Sequence, residues 1–247
     1  MKADPFAQLK LLDVQALDAK ADKLRHQRAS LPQLAEIATL SATRAELADQ
    51  VRDQQIVVDD LTASQTKADA DVEQVKARRT RDRDRMDQGL ISNPKDLERM
   101  QHELETLERR IATLEDEELE VMEQLEDAQK TLDSLQQQVA SAEERLAELT
   151  AARDQRTAEI DRELDALTAE RGPAVDGMPE DLLALYEKLR ANRKGIGAAE
   201  LRQRRCSGCQ LTIDNAEIEV IRKAPSDLVI RCEECSRILV RTSESGL

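Results

Sequence analysis

The chain of 247 residues has almost no aromatic side chains: it contains one Phe, one Tyr and no Trp. Thick globular cores depend on such side chains, so most of the chain is not expected to form one. No apolar run approaches the roughly 18 residues of a membrane-spanning helix, and none at the N-terminus has the length of a signal peptide. The sequence therefore predicts a cytoplasmic protein that binds no membrane.

The charge is high and unevenly distributed. Charged residues make up 36% of the chain, and the formal net charge is −14. Residues 188–247 carry 12 Lys and Arg against 8 Asp and Glu, so the remaining residues carry −18. Because phosphates repel an acidic surface, only the C-terminal end is suited to contact nucleic acid.

Apolar residues recur every three or four positions between residues 94 and 171. From Leu97 to Leu149, fifteen of the sixteen positions in this register are apolar, and the exception is Glu118. A heptad repeat of this length predicts a coiled coil. Residues 6–87 continue the pattern with more polar interruptions, so they are expected to form a second helical arm.

Turn-forming residues separate the two arms. Gly89 is suited to end the first arm, and Asn93 or Ser92 is suited to cap the second. A loop this short forces the arms to run antiparallel. The sequence therefore predicts a mainly α protein in which residues 1–171 form a long antiparallel coiled-coil hairpin, with its tip near residues 88–94.

Proline and glycine predict further interruptions. Pro32 is expected to kink or divide the first arm. Residues 172–197 are expected to form a linker with a short amphipathic helix at residues 180–192, followed by a flexible link at Gly195 and Gly197.

The last segment, residues 198–247, is predicted to be a small β zinc-ribbon domain. It contains three short β-type runs, at residues 218–221, 228–230 and 238–240. It also contains all four cysteines of the chain, as two Cys-x-x-Cys pairs. We expect a β-hairpin between the pairs to bring them face to face.

Two Cys-x-x-Cys turns that face each other supply the four sulfur ligands that tetrahedral Zn²⁺ prefers. The alternatives are two disulfides or a redox dithiol, but thiols stay reduced in the cytosol and a segment of about 40 residues needs a staple to fold. Four sulfurs complete the coordination sphere, so the site is predicted to be structural. Zinc knuckles often have Gly after each pair, where this chain has Gln210 and Ser236, so a slightly different turn geometry is expected. The predicted ligands of one structural Zn²⁺ are Cys206, Cys209, Cys232 and Cys235.

Basic residues cluster just before and around the first cysteine, and we call this set the basic collar. Such a cluster could bind phosphates of RNA or DNA, although the alternative is a solvated charged face, and the ribbon has no aromatic residue on which bases could stack. The candidate nucleic-acid contacts are Lys188, Arg190, Arg193, Lys194, Arg202, Arg204 and Arg205.

A second basic run lies near the hairpin tip, between Lys76 and Arg85. Salt bridges along an exposed helix would explain it, and a docking tip is the alternative. No phosphate-binding glycine motif, nucleophile elbow or zinc-protease motif occurs in the chain. The sequence therefore predicts neither an enzyme nor a small-molecule substrate.

These features resemble a bacterial family that combines a coiled-coil hairpin with a C4-type zinc ribbon, the FlgZ-like family. The resemblance rests on residues 91–97 and 101–103 at the tip, on residues 181–187 around Tyr186, and on the two cysteine pairs. It covers nearly the whole chain, and the Ala-, Arg- and Asp-rich composition is similar to that of an actinobacterial member. The resemblance implies a regulator without enzymatic activity that binds protein partners and RNA.

Three functions remain open at the level of sequence. The first is a zinc-binding adaptor or regulator that binds protein partners, with nucleic acid at the basic collar. The second is a Gre-like transcription factor that places Asp87 or Asp96 of the tip into RNA polymerase. The third is a spacer or scaffold with no role in nucleic-acid binding.

Overall fold

The structure is a computed structural model that describes residues 1–247, and helices dominate it. The five helices are α1 (Pro5–Ala29), α2 (Pro32–Asp87), α3 (Pro94–Val175), α4 (Glu180–Asn192) and α5 (Asn215–Lys223), and the four strands are β1 (Ala198–Arg202), β2 (Arg205–Cys206), β3 (Ile230–Arg231) and β4 (Ile238–Arg241). The predicted class, a mainly α chain with a long helical hairpin and a small C-terminal strand region, is confirmed. None of the helices combines the length and the apolar character that a membrane crossing requires.

The chain forms two compact units. The first contains residues 1–34 and 151–247, and the second contains residues 35–150. The first and last parts of the sequence therefore fold together, whereas the middle part forms a unit of its own.

Residues 35–150 form an antiparallel pair of helices. Val58 of α2 packs against Ala128 and Leu132 of α3, and Lys76 of α2 pairs with Glu115 of α3 at 2.9 Å. Every position of the predicted register from Leu97 to Leu149 is buried or half-buried. This pattern includes Glu118, whose pKa is raised by the neighbouring carboxylate of Asp69.

The loop between the arms has the predicted caps. α2 ends at Asp87, Gly89 adopts a φ of 66°, and the side chain of Asn93 accepts a hydrogen bond from the backbone N–H of Lys95 at 3.1 Å. The predicted break at Pro32 is also confirmed, because α1 ends at Ala29 and α2 begins at Pro32.

The second arm extends further than predicted. α3 continues to Val175 and includes Pro173 in its last turn. The short helix α4 has the predicted bounds and buries Leu182, Tyr186 and Leu189.

In the unit of residues 1–34 and 151–247, the four strands form one mixed sheet. Its order is β2-β1-β4-β3, with β1 parallel to β4 and the other pairs antiparallel. Alternate residues of β4 enter different cores: Ile238 and Val240 contact α1 and α4, whereas Leu239 faces the cysteines and α5. The sheet therefore separates a helical core from the core of the ribbon.

The link before β1 is ordered, contrary to the expectation of a flexible segment. The N–H of Gly197 donates to the side chain of Gln15 at 2.8 Å, and the side chain of Gln15 donates to the carbonyl of Gly195 at 2.9 Å. A Cβ at Gly197 would lie 2.5 Å from the carbonyl oxygen of Tyr186, so only glycine fits there. Helix α1 holds this segment in place.

The predicted strand at residues 218–221 is wrong, because these residues belong to α5. Ile218 and Ile221 are buried while Val220 is 67% exposed, which is helical spacing. Glu217 in the first turn and Lys223 in the last turn complement the helix dipole. The two cysteine pairs are therefore joined by a helix and not by the expected β-hairpin.

The other two β-type runs differ in outcome. The run at residues 238–240 lies within β4, as predicted. Of the run at residues 228–230, only Ile230 belongs to a strand. The preceding residues meet the N-terminus, where Val229 N–H donates to the carbonyl of Met1 at 3.1 Å.

Candidate metal centre and basic surface

The two cysteine turns have the same backbone geometry. In the first turn, the N–H of Gln210 donates to the carbonyl of Cys206 at 2.8 Å, and the N–H of Cys206 donates to the carbonyl of Leu211 at 3.0 Å. In the second turn, the N–H of Ser236 donates to the carbonyl of Cys232 at 2.8 Å, and the N–H of Cys232 donates to the carbonyl of Arg237 at 3.0 Å. Each turn thus directs two cysteine side chains to the same side.

The residue after each pair adopts the left-handed backbone conformation that glycine favours. The φ angle is 63° at Gln210 and 62° at Ser236. The expectation of a different turn geometry is therefore wrong: the turns keep the knuckle conformation, and two non-glycine residues carry the strain of about 1–2 kcal/mol that it costs.

We expect Ser236→Gly to stabilise the ribbon by up to about 1 kcal/mol, because it removes this strain while the greater freedom of unfolded glycine offsets part of the gain. Resistance of the bound metal to a chelator and the thermal midpoint measure the effect. Ser243→Gly, at an exposed position, is the control and should not stabilise. A destabilised Ser236→Gly variant would contradict the strain argument.

The four sulfur atoms have the spacing that a tetrahedral metal requires. Four sulfurs about 2.3 Å from one Zn²⁺ lie about 3.8 Å from one another. The Sγ atoms of Cys206 and Cys235 are 3.8 Å apart, and those of Cys209 and Cys232 are 3.9 Å apart. All four Sγ atoms lie within 4.8 Å of one another. The residues present therefore fit one Zn²⁺ with four thiolate ligands.

Burial and hydrogen bonding shift the pKa values of three of the thiols. Burial raises the pKa of Cys206 to about 11 and that of Cys232 to about 12. Burial acts in the same direction on Cys235, but hydrogen bonds from Arg237 and the neighbouring thiols lower its pKa to about 7. Thiolates at Cys206 and Cys232 thus need a nearby positive charge, which a bound Zn²⁺ supplies.

The side chain of Arg237 connects the second cysteine turn to the segment before β1. Its guanidinium donates to the carbonyl oxygens of Ile196 at 3.0 Å and Arg193 at 2.9 Å. It also passes close to Gly208, where an added Cβ would lie 2.7 Å from Arg237 Cδ. Sequence reasoning did not single out this residue, because an arginine beside a cysteine pair is indistinguishable from a solvated one.

Six of the seven residues of the basic collar are exposed. They fall into two groups along the chain, one before β1 and one at and after its C-terminal end. The first group comprises Lys188, Arg193 and Lys194, and the second comprises Arg202, Arg204 and Arg205.

The seventh member, Arg190, is engaged inside the protein. Its guanidinium donates to both carboxylate oxygens of Asp22 at 2.7 Å and lies 3.5 Å from Asp18. Its side chain is only 20% exposed. Arg190 therefore serves as an ion-pair partner within the fold.

The second group surrounds a strained two-residue turn between β1 and β2. Gln203 and Arg204 both have positive φ, at 47° and 61°, which is the pattern of a type I′ turn. The C-terminal residues hold this turn, because Gln203 N–H donates to the carbonyl of Glu244 at 2.8 Å and Arg204 N–H to that of Ser245 at 3.0 Å. Arg202 pairs with Glu244 at 2.7 Å, whereas Arg204 and Arg205 form no ion pair.

A buried polar network, which sequence reasoning missed, joins α1 to α3 and α4. Asp18 is 5% exposed, accepts a hydrogen bond from the hydroxyl of Tyr186 at 2.7 Å, and pairs with Arg171 at 2.8 Å. Burial and the Asp18 carboxylate raise the pKa of Tyr186, so its phenol stays protonated and donates. The sequence did contain a signal for this network, because Asp18 is an acidic residue in the register of the apolar residues Leu11 and Val14.

The basic run near the hairpin tip is only partly paired. Lys76 and Arg78 pair across the hairpin with Glu115 and Glu103. The other four residues have no carboxylate within 4.0 Å, and three of them are exposed: Arg79 is half-buried, and Arg81, Arg83 and Arg85 are exposed. Salt bridges therefore account for a minority of the run.

The fold and the site together define a coiled-coil zinc-ribbon protein. The chain belongs to the family of CT398-like coiled-coil hairpin proteins: the model of the CT398-like coiled coil hairpin domain matches residues 14–194, and that of the C4-type zinc ribbon domain matches residues 205–239. The predicted family is thereby confirmed. The four cysteines hold one structural Zn²⁺.

Relatives from mycobacteria resemble the chain over almost its whole length. The uncharacterized protein Rv2229c of Mycobacterium tuberculosis is 34% identical over 248 residues, which cover 98% of each protein. A structure from Mycobacterium smegmatis has 35% identity and a TM-score of 0.83, and the match covers 98% of this chain and 100% of that one. These relatives agree with the predicted actinobacterial character.

Two more distant structures share the fold. CT398 from Chlamydia trachomatis is 20% identical with a TM-score of 0.69, and the match covers 96% of this chain and 98% of that one. The HP0958 protein from Helicobacter pylori is 14% identical with a TM-score of 0.52, and the coverage is 98% and 99%.

Proposed function

We propose that the protein is an adaptor without enzymatic activity, which binds a protein partner and contacts the phosphates of nucleic acid at its zinc-ribbon end. The matching family models describe a coiled-coil hairpin and a zinc ribbon, and neither describes an enzyme. Four thiolates fill the coordination sphere of the metal, which leaves no position for a substrate. The role of the zinc centre is therefore to hold the surrounding surface in its folded shape.

The observation that carries the nucleic-acid part of the proposal is the β1–β2 turn. Arg204 and Arg205 are exposed and free of carboxylates, and the backbone that presents them is fixed by the C-terminal residues. A non-glycine residue held at positive φ costs free energy that the surrounding structure must repay. Fixed arginines lose less entropy when they bind phosphate than arginines on a mobile loop.

The remaining exposed members of the collar extend this surface. Arg193 and Lys194 follow α4, and their backbone is tied to the ribbon through Arg237. The ribbon offers no aromatic side chain for base stacking, so contact with phosphates and little sequence preference are expected.

We expect Arg204→Glu combined with Arg205→Glu to weaken binding of a fluorescent 30-nucleotide RNA by about tenfold or more at 100 mM NaCl. The salt dependence of the binding constant should also fall by about one unit or more of slope. Fluorescence anisotropy with the RNA, and with DNA of the same sequence, measures both effects. The matched control is Lys20→Glu with Lys23→Glu, which changes the net charge equally at exposed positions of α1. Equal weakening by both variants, or no binding by the wild type, would contradict the proposal.

Affinity capture tests the protein-partner part separately. Wild type and Cys232→Ser are used as baits, each with and without nuclease. Partners that are lost with Cys232→Ser and retained after nuclease treatment depend on the folded ribbon and not on bridging nucleic acid. Identical partners for both baits would show that the ribbon does not hold them.

The charge of the hairpin tip does not favour the Gre-like alternative. Asp87 is exposed, but Asp96 pairs with Arg99 at 3.4 Å, and unpaired arginines precede the loop. Cations close to the tip would compete with a catalytic Mg²⁺ for these carboxylates. Transcript cleavage in the presence of RNA polymerase, compared between wild type and Asp87→Asn, tests the alternative directly.

A further inference from the structure

Two large apolar side chains of α3 are exposed outside the seam of the hairpin. Leu119 is 56% exposed and Met122 is 42% exposed. Each follows a position of the seam register, Glu118 or Val121, by one residue and therefore lies about 100° around the helix from it. Because the two side chains are three residues apart, they lie one above the other on the same face. Packing between the arms does not account for this pair.

The pair lines a shallow groove of about 520 Å³. The lining also includes Gln65 of α2 and Leu125, which is half-buried in the seam. Three large apolar side chains therefore contribute to a surface that is open to solvent.

The residues around the pair are strongly acidic. Residues 115–127 include eight Asp and Glu and no Lys or Arg. Asp116 precedes Leu119 by three residues and Glu123 follows it by four, so both carboxylates lie on the face of Leu119. Both side chains are exposed and form no ion pair. The groove therefore has free negative charges beside its apolar surface.

Two lysines lie near this acidic run, and each is already paired with one of its members. Lys76 pairs with Glu115 at 2.9 Å, and Lys130 pairs with Glu126 at 2.8 Å. Asp69 of α2 lies beside the run and adds another carboxylate. The surface therefore keeps a negative charge that the chain itself does not neutralise.

Several other classes of ligand do not fit this groove. The carboxylates would repel the phosphates of a nucleic acid or of an anionic membrane. The four cysteines are the only cluster of three or more side chains close enough together to share a metal ion. A polypeptide that carries both apolar and basic side chains matches both properties of the groove.

We propose that this groove binds a basic amphipathic helix of a partner protein. Apolar side chains of that helix cover Leu119 and Met122, and Lys or Arg on its borders pair with Asp116 and Glu123. The surface lies in residues 35–150, so this interaction goes beyond the functions proposed for the ribbon.

A helical partner suits the spacing of the groups. Its apolar side chains at i and i+3 or i+4 have the same spacing of about 5–6 Å as Leu119 and Met122 on α3. Asp116 and Glu123 lie about 10 Å apart along α3, which is about two turns of the partner helix. Two apolar anchors and two charge pairs make a small interface, so we expect a dissociation constant of about 10 µM.

Fluorescence anisotropy with the full-length, zinc-loaded protein tests the proposal. The probe is a fluorescein-labelled peptide of about 18 residues made of Leu, Ala and Lys, in which Leu recurs every three or four positions. A second peptide of the same composition has its Leu residues spread around the helix. The wild type should bind the first peptide with the expected affinity at about 100 mM NaCl, and the second at least about tenfold more weakly.

Leu119→Ala should raise the dissociation constant of the first peptide by about tenfold, because it removes an apolar anchor. Ile56→Ala is the matched control, since Ile56 is 59% exposed in the same compact unit. Ile56 precedes Gln65 by nine residues, or about two and a half turns, so it lies on the opposite face of α2 from the groove. The control should bind as tightly as the wild type.

Asp116→Asn with Glu123→Gln should raise the dissociation constant by about fivefold and should weaken its dependence on NaCl, because two charge pairs are lost. Glu46→Gln with Glu144→Gln removes the same charge at exposed, unpaired positions of the same unit. That control should change the dissociation constant by less than about twofold, because distant charges are screened. Circular dichroism at 222 nm checks that the helices of each variant are intact.

Three results would overturn the proposal. The first is a wild type that binds neither peptide or binds both equally, since the groove would then not recognise an amphipathic helix. The second is equal weakening by Leu119→Ala and Ile56→Ala. The third is a wild type that is dimeric in sedimentation equilibrium and becomes monomeric on Leu119→Ala, since a second copy would then occupy the groove. These outcomes are independent of the RNA and Cys232→Ser experiments, which concern the ribbon.

Discussion

Cys232→Ser is expected to abolish stable zinc binding and to unfold the ribbon. A serine hydroxyl is a poor ligand for Zn²⁺ at neutral pH, so three thiolates remain where four are needed. Structural zinc contributes about 10–16 kcal/mol in small zinc-binding peptides, which is more than the core of this ribbon could replace. That core is built directly on the cysteines, because Leu201, Ile218 and Leu239 pack against them.

Zinc content after dialysis against a mild chelator measures this effect, and hydrogen exchange locates it. We expect about one zinc per chain in the wild type and close to none in the variant, with rapid exchange across residues 198–247. Circular dichroism should change little, because residues 35–150 form a separate compact unit. Glu233→Ser is the matched control, since Glu233 is exposed in the same turn and supplies no sulfur. A Cys232→Ser variant that retains zinc as firmly as this control would contradict the four-sulfur site.

Asp18→Ala is expected to destabilise the unit of residues 1–34 and 151–247 by about 3–5 kcal/mol. The carboxylate of Asp18 is the shared partner of Arg171, Arg190 and the hydroxyl of Tyr186. Removing it leaves buried donors without an acceptor, and breaking a buried ion pair costs far more than losing an exposed one. Asp22 can retain Arg190, but it lies one turn beyond Asp18 on α1, and the hydroxyl of Tyr186 donates to Asp18.

The chain contains its own probe for this experiment. Tyr186 is the only Tyr and there is no Trp, so intrinsic fluorescence reports on the core around Asp18 alone. Urea denaturation followed by tyrosine fluorescence should show a lower midpoint for Asp18→Ala. Asp13→Ala, at an exposed and unpaired position of the same helix, should change the free energy of unfolding by less than about 0.5 kcal/mol. If both variants unfolded at the midpoint of the wild type, the network would contribute no stability.

Local patterns in the sequence were sufficient to predict the hairpin and the metal ligands. A heptad register needs only neighbouring residues, so the seam from Leu97 to Leu149 could be located before its partner helix was known. The cysteine spacing has the same property, because each Cys-x-x-Cys turn is a local structure. The cap at Asn93 and the bounds of α4 follow from the same kind of information.

The sequence-based predictions failed where the local structure or the role of a side chain depends on residues that are distant in the sequence. Residues 218–221 fit both a strand and a helix period, and packing of Ile218 and Ile221 against the cysteines selects the helix. Arg190 resembled its basic neighbours, but its partners lie in α1, 168 residues away in the case of Asp22. A count of charges does not distinguish a free cation from one that is paired across the fold.

The contact between α1 and the ribbon has a consequence for the order of synthesis. Residues 1–34 are made before residues 35–150, yet Leu11 and Val14 are buried against Leu182, Ile238 and other residues that follow the hairpin in the sequence. The arms of residues 35–150 can pair as soon as both exist. Helix α1 must keep its apolar face unburied until β4 has been made, so this face stays exposed while the two arms of the hairpin are being synthesised.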